Sequence, residues 1–177
     1  GYNCTTTTSL KSKDSGSLRN PVNIYLQTGI DSSDKFARIS DSALLDLVQQ
    51  QTLKYFYDFG HPVSGLARER FGSGETVTTG GSGMGIMALL VGVHRNFLTR
   101  DEGLTRLEKI TGFLLHSAQR YHGAFPHWLN GSTGATIPFS SNDNGADLVE
   151  TSYLMEGLLC ARQFFNGADT RETSLRD

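Results

Sequence analysis

Gly83-Met84-Gly85-Ile86-Met87-Ala88-Leu89-Leu90-Val91-Gly92-Val93-His94-Arg95-Asn96-Phe97, residues 83–97, puts apolar or small side chains on nearly every side of a helix. A surface helix keeps one polar face, so this segment is expected to be buried all round, with Gly85 and Gly92 permitting close approach of neighbours. A second segment of the same character, from about Asp147 to Phe165, carries Leu148, Val149, Tyr153, Leu154, Leu158 and Phe165, and it too is expected to be buried. Between and before them lie helices with a single apolar stripe. Leu44, Leu45, Val48, Thr52, Tyr55 and Phe56 recur at helical spacing after Ser40 and Asp41 and stop at Gly60 and Pro62. Thr99 and Glu102 form a capping-box pattern, followed by the stripe Leu104, Leu107, Thr111, Leu114, Ala118 and Tyr121. Alternation of half-buried and fully buried helices predicts an all-α fold, with an inner ring contacting neighbours on all sides and an outer ring facing water.

The connections carry the functional information. The link from the second helix to the third is only a few residues around Leu98 and Thr99, whereas residues 60–82 and 122–146 are long and rich in Gly, His and aromatics. Long ordered loops are usually functional. Antiparallel hairpins place alternate connections at opposite ends, so both long loops are expected at one end, beside the starts of the inner helices. The second loop delivers Asp143, Asp147 and Glu150 at spacings of four and three, which gathers three acids on one side of a helix start. Glycoside hydrolysis needs one carboxylic acid to protonate the leaving oxygen and, in inverting enzymes, a second carboxylate to activate water. Acids at a helix start also act as simple caps, and both readings stand on pattern alone. Near them, His127, Trp128 and Asn130 combine flat aromatic surface with hydrogen-bonding groups, which suits sugar rings. Arg68, Glu69 and Arg70 in the first loop either grip sugar hydroxyls or hold the loop through ion pairs. The glycines at 80, 81 and 83 lack both the Lys-Ser/Thr ending and the G-x-G-x-x-G spacing of a phosphate cradle, and a tight start to a crowded helix accounts for them better. His122 and His127 find no third ligand at a recognised spacing, so no metal is expected.

Composition narrows the partners. Hydrophobic residues make up 37% of 177, enough for one core without a metal or disulfide staple. Sixteen basic against 18 acidic residues provide no field for nucleic acid or an acidic membrane. Cys4 and Cys160 form neither a disulfide framework nor a C-x-x-C site. No apolar run approaches the roughly 20 residues of a membrane span. Residues 1–40 are polar and aperiodic apart from Val22, Ile24, Tyr25 and Leu26, and read as a tether in which that apolar patch forms an edge strand or a docking segment. The opening Gly1-Tyr2-Asn3-Cys4 and the Thr5 to Ser9 stretch fit either an arbitrary chain end or a lipoprotein start with its lipid anchor on Cys4.

Four stretches in order carry a resemblance: residues 44–52, residues 59–70, His122-Gly123-Ala124-Phe125-Pro126-His127-Trp128-Leu129-Asn130-Gly131, and Asp143-Asn144-Gly145-Ala146-Asp147-Leu148-Val149-Glu150-Thr151-Ser152. From about Asp41 to Phe165 the chain resembles the glycoamylase-like domain of Bacteroidetes proteins, which includes the endo-β-1,2-glucanases of glycoside hydrolase family 144. The resemblance implies an (α/α)6 toroid, a periplasmic or secreted location, and inverting, cofactor-free cleavage of a β-1,2-linked glucan by a monomer. It also implies that the family's acidic candidates fall on Asp143, Asp147 and Glu150 and its sugar-facing loop on His127 and Trp128. A complete toroid needs six helical hairpins, and the sequence supplies about four helices before Asp177, so residues 41–177 are expected to be its truncated N-terminal part. Three alternatives stay open: a glucoamylase-like α-glucan hydrolase, a toroid polysaccharide lyase, and a non-catalytic glycan-binding protein.

Overall fold

Local capping sets where the helices begin. In the computed structural model, which describes every residue except Gly1, Ser9, Leu10, Ser15, Leu18, Asp34 and Ala37, α1 spans Asp41–Tyr57 and starts where the Ser40 hydroxyl accepts from the Ala43 N–H. The helix α2 spans Thr79–His94, α3 spans Arg100–His116 and α4 spans Leu148–Phe164. At the start of α3, Thr99 Oγ1 accepts from the Glu102 N–H while Glu102 Oε2 accepts from the Thr99 N–H, the reciprocal box expected from the sequence. The α2–α3 link is short because Asn96 takes a left-handed conformation (φ 59°) and lets Phe97 donate back to the Gly92 carbonyl.

The chain divides into two compact units, residues 1–39 and Ser40–Asp177. In the first, Tyr2–Thr5 (β1) pairs antiparallel with Asn23–Leu26 (β2), Cys4 opposite Ile24, and both strands are exposed. Of the polar opening, Gly1 and Ser9 lie outside the described residues.

The core of the second unit gathers Ile86 and Leu89 of α2, Leu104, Leu107 and Ile110 of α3, and Leu154 of α4, with Phe165 closing one end. The helices α2 and α4 touch backbone to backbone. A Cβ on Gly157 would lie 2.5 Å from the Gly83 carbonyl oxygen, and one on Gly83 would run into the Tyr153 carbonyl. Gly85 and Gly92 serve a different neighbour: they face Phe56 and Leu53 of α1. The outer helix α3 uses its charged face to hold other elements. Arg106 donates to the carbonyls of Phe56 and Tyr57 at the end of α1, and Lys109 donates to that of Pro62.

Burial all round does not hold for α2 and α4 within this chain. Met84, Met87 and Val91 form an exposed stripe on α2, and Leu148, Val149, Tyr153, Met155 and Leu159 are exposed on α4. The glycine contact pairs one face of each helix, α1 and α3 pack on another part of α2, and no described element covers the exposed stripes.

The all-α expectation also needs amending. Thr76–Thr78 (β3), Trp128–Asn130 (β4) and Thr136–Ile137 (β5) form an antiparallel sheet in the order β3-β4-β5. It joins the two long loops, so they meet at one end of the helices. Buried loop backbone must find hydrogen-bond partners, and two β-rich segments meet that need by pairing. Beyond α4, Asp169 caps a short helix α5, Thr170–Arg176, whose buried Glu172 is held by two hydrogen bonds from Arg100, at 2.6 and 2.8 Å. No helix among the described residues is long and apolar enough to cross a membrane.

Candidate active site

Three segments converge where α2 and α4 begin. The segment Phe125-Pro126-His127 is clamped from both sides. Thr79 at the start of α2 donates its N–H to the His127 carbonyl (3.1 Å) and its hydroxyl to that of Pro126 (2.5 Å). On the other side Asp147 donates its N–H to the Phe125 carbonyl (2.8 Å), and the Thr151 hydroxyl accepts from the Phe125 N–H (2.9 Å).

Asp147 is the N-cap of α4. Its Oδ1 accepts from the N–H groups of Val149 and Glu150, both at 3.0 Å, and its Oδ2 lies 2.8 Å from His127 Nδ1. Burial pushes its pKa up, but the Glu150 N–H and the His127 ring outweigh this and hold the carboxyl below the ordinary aspartate range. Glu150, three residues on, reaches across to α2. Its Oε2 accepts from the Gly80 N–H (2.8 Å) and the Thr78 hydroxyl (3.3 Å). Thr78 makes no side-chain cap of its own helix, so the α4 carboxylate fills that place. Any Cβ at position 80 would lie 2.5 Å from Glu150 Oε2, which explains the glycine there. Two helix N-termini, each with positive partial charge, thus hold one carboxylate apiece within a single turn of α4.

Asp143 stands apart from that pair. It closes a turn with Ser140, and its carbonyl accepts from the Phe139 N–H at 2.9 Å. Its carboxylate is exposed and makes no hydrogen bond among the described residues. The turn matters because the Phe139 ring packs on Trp128 (centroids 4.8 Å apart) and on His127 (4.6 Å), so Asp143 borders an aromatic face. Phe139 was missed by sequence reasoning; it lies in a loop with no period, and only its contact with Trp128 reveals it.

Strand register sorts the remaining candidates. Thr78 pairs with Trp128 and Thr76 with Asn130, while a bridge sets Arg68 opposite Val77. Side chains alternate across a sheet, so Glu69, Asn130 and Trp128 share one face and Arg68 points to the other, with Val77 and Leu129. Arg68 accordingly holds the loop, donating to the carbonyls of Phe59 and Gly74. Glu69 and Arg70 pair with each other at the surface. Asn130 Oδ1 accepts from the N–H groups of Ser132 and Thr133 and shapes its own turn. Of the sugar-binding candidates, His127 and Trp128 adjoin the acids, and the structure gives Arg68 and Asn130 loop-building contacts.

A cluster absent from the sequence reading fastens the loops below the sheet. His61, 2% exposed, accepts at Nδ1 from the Val63 and Ser64 N–H groups and meets Glu75 Oε2 at 3.3 Å through Nε2. Ser132 donates to the same Glu75 oxygen at 2.5 Å. Two cavities lie away from the Asp147–Glu150 pair. One of about 700 Å³ sits between α3, α4 and α5, lined by Leu114, Leu158 and Leu175; one of about 510 Å³ lies beside Phe59, Arg68 and Phe71. No set of three or more His, Cys, Asp or Glu side chains among the described residues is arranged to hold a metal ion.

No family model matches the chain. Over 140 residues, 78% of the chain, it is 47% identical to an exo β-1,2-glucooligosaccharide sophorohydrolase (non-reducing end) of Parabacteroides distasonis. Its fold matches an endo-β-1,2-glucanase of Chitinophaga pinensis, solved with sophorotriose and glucose, at TM-score 0.74 and 47% identity over 78% of the chain. The chain is a homologue of Bacteroidetes β-1,2-glucanases. A Bacteroides uniformis protein that carries a provisional glucoamylase name is similar at TM-score 0.77 and 50% identity over 80% of the chain. The chain spans 35% of the length of each of these two solved relatives and 19% of the curated sophorohydrolase.

Proposed function

We propose that the protein is a glycoside hydrolase that cleaves a β-1,2-linked glucan internally, by inversion, within an (α/α)6 toroid. One observation carries the reading: Asp147 and Glu150 are fixed at the joined starts of α2 and α4, beside the aromatic face of His127, Trp128 and Phe139. A sugar ring offers an apolar face to the aromatics and its glycosidic oxygen to the acids. The relatives that act on β-1,2-glucans favour that linkage over α-linked glucans. The exposed apolar stripes of α2 and α4 are the surfaces that a ring of further helices would cover, and the solved relatives are more than twice as long.

Asp147, held ionised, suits a base or an orienting role and not proton donation. Glu150 keeps Oε1 without a hydrogen bond among the described residues, and Asp143 keeps its whole carboxylate, so these two supply the acid chemistry. A second reading rests on one specific contact set. Asp147 caps α4 and Glu150 caps α2, which a glycan-binding protein without turnover would also require.

Measurement of reducing ends released from β-1,2-glucan, starch and a uronan separates these readings. Release from β-1,2-glucan is expected, and release from starch alone rejects the linkage. Glu150→Gln keeps an oxygen for the Gly80 N–H but cannot ionise. It should lower turnover by roughly 100-fold or more, the range for loss of an acid or base, with Tm little changed. Binding of the glucan with no turnover in the unmodified protein, or a large fall in Tm with retained turnover in the variant, establishes the capping role instead.

A further inference from the structure

We infer that Asp147 is a positioning residue that acts through His127, keeping the imidazole proton on Nδ1 so that Nε2 stays bare as the acceptor for a sugar hydroxyl. The inference rests on the hydrolase reading and sharpens it by taking Asp147 out of the reacting pair.

The argument begins with what a carboxylate can do. An ionised aspartate only accepts hydrogen bonds, and Asp147 already accepts three. Two come from backbone N–H groups, which cannot reverse their role, and the third is a charge-assisted contact of 2.8 Å to His127 Nδ1. Nδ1 must therefore be the protonated nitrogen of the neutral ring. In water the neutral imidazole prefers its proton on Nε2, so the protein imposes the rarer tautomer.

The ring is also fixed in place. The His127 carbonyl is bound by the Thr79 N–H, the ring lies edge-on to Trp128 with centroids 5.4 Å apart, and Phe139 packs against it. Nε2 has no hydrogen-bond partner among the described residues, and the His127 side chain retains 27% exposure. A bare, oriented ring nitrogen at the edge of an aromatic face is matched by a hydroxyl donor, the group that rims a sugar whose apolar face lies on Trp128. A carboxylate that accepts from one ring nitrogen is a recurrent way of fixing an imidazole's orientation.

The test reads the nitrogen itself. Side-chain ¹⁵N spectra of His127 in the whole chain, at a pH where the ring is neutral, should report a proton on Nδ1. Asp147→Asn keeps a good helix cap, with its Oδ1 toward the Val149 and Glu150 N–H groups and its NH₂ toward the imidazole. That NH₂ donates to Nδ1, so the proton should move to Nε2. Addition of β-1,2-linked glucotriose should shift the Nε2 resonance in the unmodified chain and leave it nearly unmoved in Asp147→Asn. Where turnover is measured in the protein, kcat/KM should fall roughly 10- to 100-fold, the usual cost of losing an orienting partner. A proton on Nε2 in the unmodified chain, or an unchanged tautomer in Asp147→Asn, overturns the inference. So does a Trp128 indole that responds to the sugar while His127 Nε2 does not. If neither residue responds, the glucan reading falls and takes the hydroxyl partner with it, while the tautomer still decides whether Asp147 governs His127.

Discussion

Gly80 is the smallest residue at the site and the one whose replacement separates geometry from stability. A methyl group there meets the end of a flexible side chain, Glu150 Oε2 at 2.5 Å, and Glu150 can swing away at little cost. Gly80→Ala should therefore cost about 1 kcal/mol or less in urea unfolding yet displace the carboxylate from the Gly80 N–H. Turnover on β-1,2-glucan should fall as far as in Glu150→Gln, and a variant with full turnover would show that this anchoring is dispensable. Sequence reasoning saw the glycines at 80, 81 and 83 as a tight helix start, which they are. It had no means of naming Glu150 as the neighbour, because the two lie seventy positions apart and only the packing of α4 on α2 brings them together. Asp143, Asp147 and Glu150 were legible as a group by spacing. That only two of them share an anchored site follows from a turn at Ser140, set by local hydrogen bonds and not by helical period.

At the scale of elements, the contact between α2 and α4 is the one that admits no enlargement. Gly83 faces the Tyr153 carbonyl and Gly157 faces that of Gly83, so any methyl group meets rigid backbone instead of a side chain. Gly83→Ala should lower stability by about 3 kcal/mol, the upper part of the overpacking range, seen as a lower urea midpoint with an unchanged slope; a loss below about 1 kcal/mol would mean that the helices slide apart freely. Helix starts were legible because caps are local: Ser40, Thr99 and Asp147 each lie next to the first turn they serve. The sheet was not, since strands of two or three residues carry no measurable alternation and their register is fixed by a partner fifty residues away. Helix α5 escaped for a related reason, its Glu172 being anchored to Arg100 at the far end of α3.

Taken whole, the helical unit should respond to acid in two steps. Burial pushes the His61 ring below the ordinary histidine range, Glu75 opposes this, and Arg68 adds to it. The folded chain then binds fewer protons at His61 than the unfolded chain does, so stability is full above about pH 6.5, the unfolded value, and declines as pH falls from there toward the lower folded value. A second decline belongs to Asp147 and Glu172, held below the ordinary carboxylate range by their hydrogen bonds and ion pairs, and it begins below about pH 4. Urea midpoints between pH 8 and pH 5 should fall in the unmodified chain and stay flatter in His61→Gln; parallel profiles would remove His61 from the account. Burial was the property that sequence misjudged most, since helices with no polar face were read as enclosed when a stripe of each is exposed here.

That uncovered surface has a chemical signature. All three thioethers of the sequence, Met84, Met87 and Met155, sit on it. Dilute peroxide should convert each to the sulfoxide in this chain, adding a mass increment that peptide mapping can assign. Wherever additional helices close over α2 and α4, the same sulfur atoms become shielded from the oxidant, so the rate of sulfoxidation reads directly whether the ring is closed.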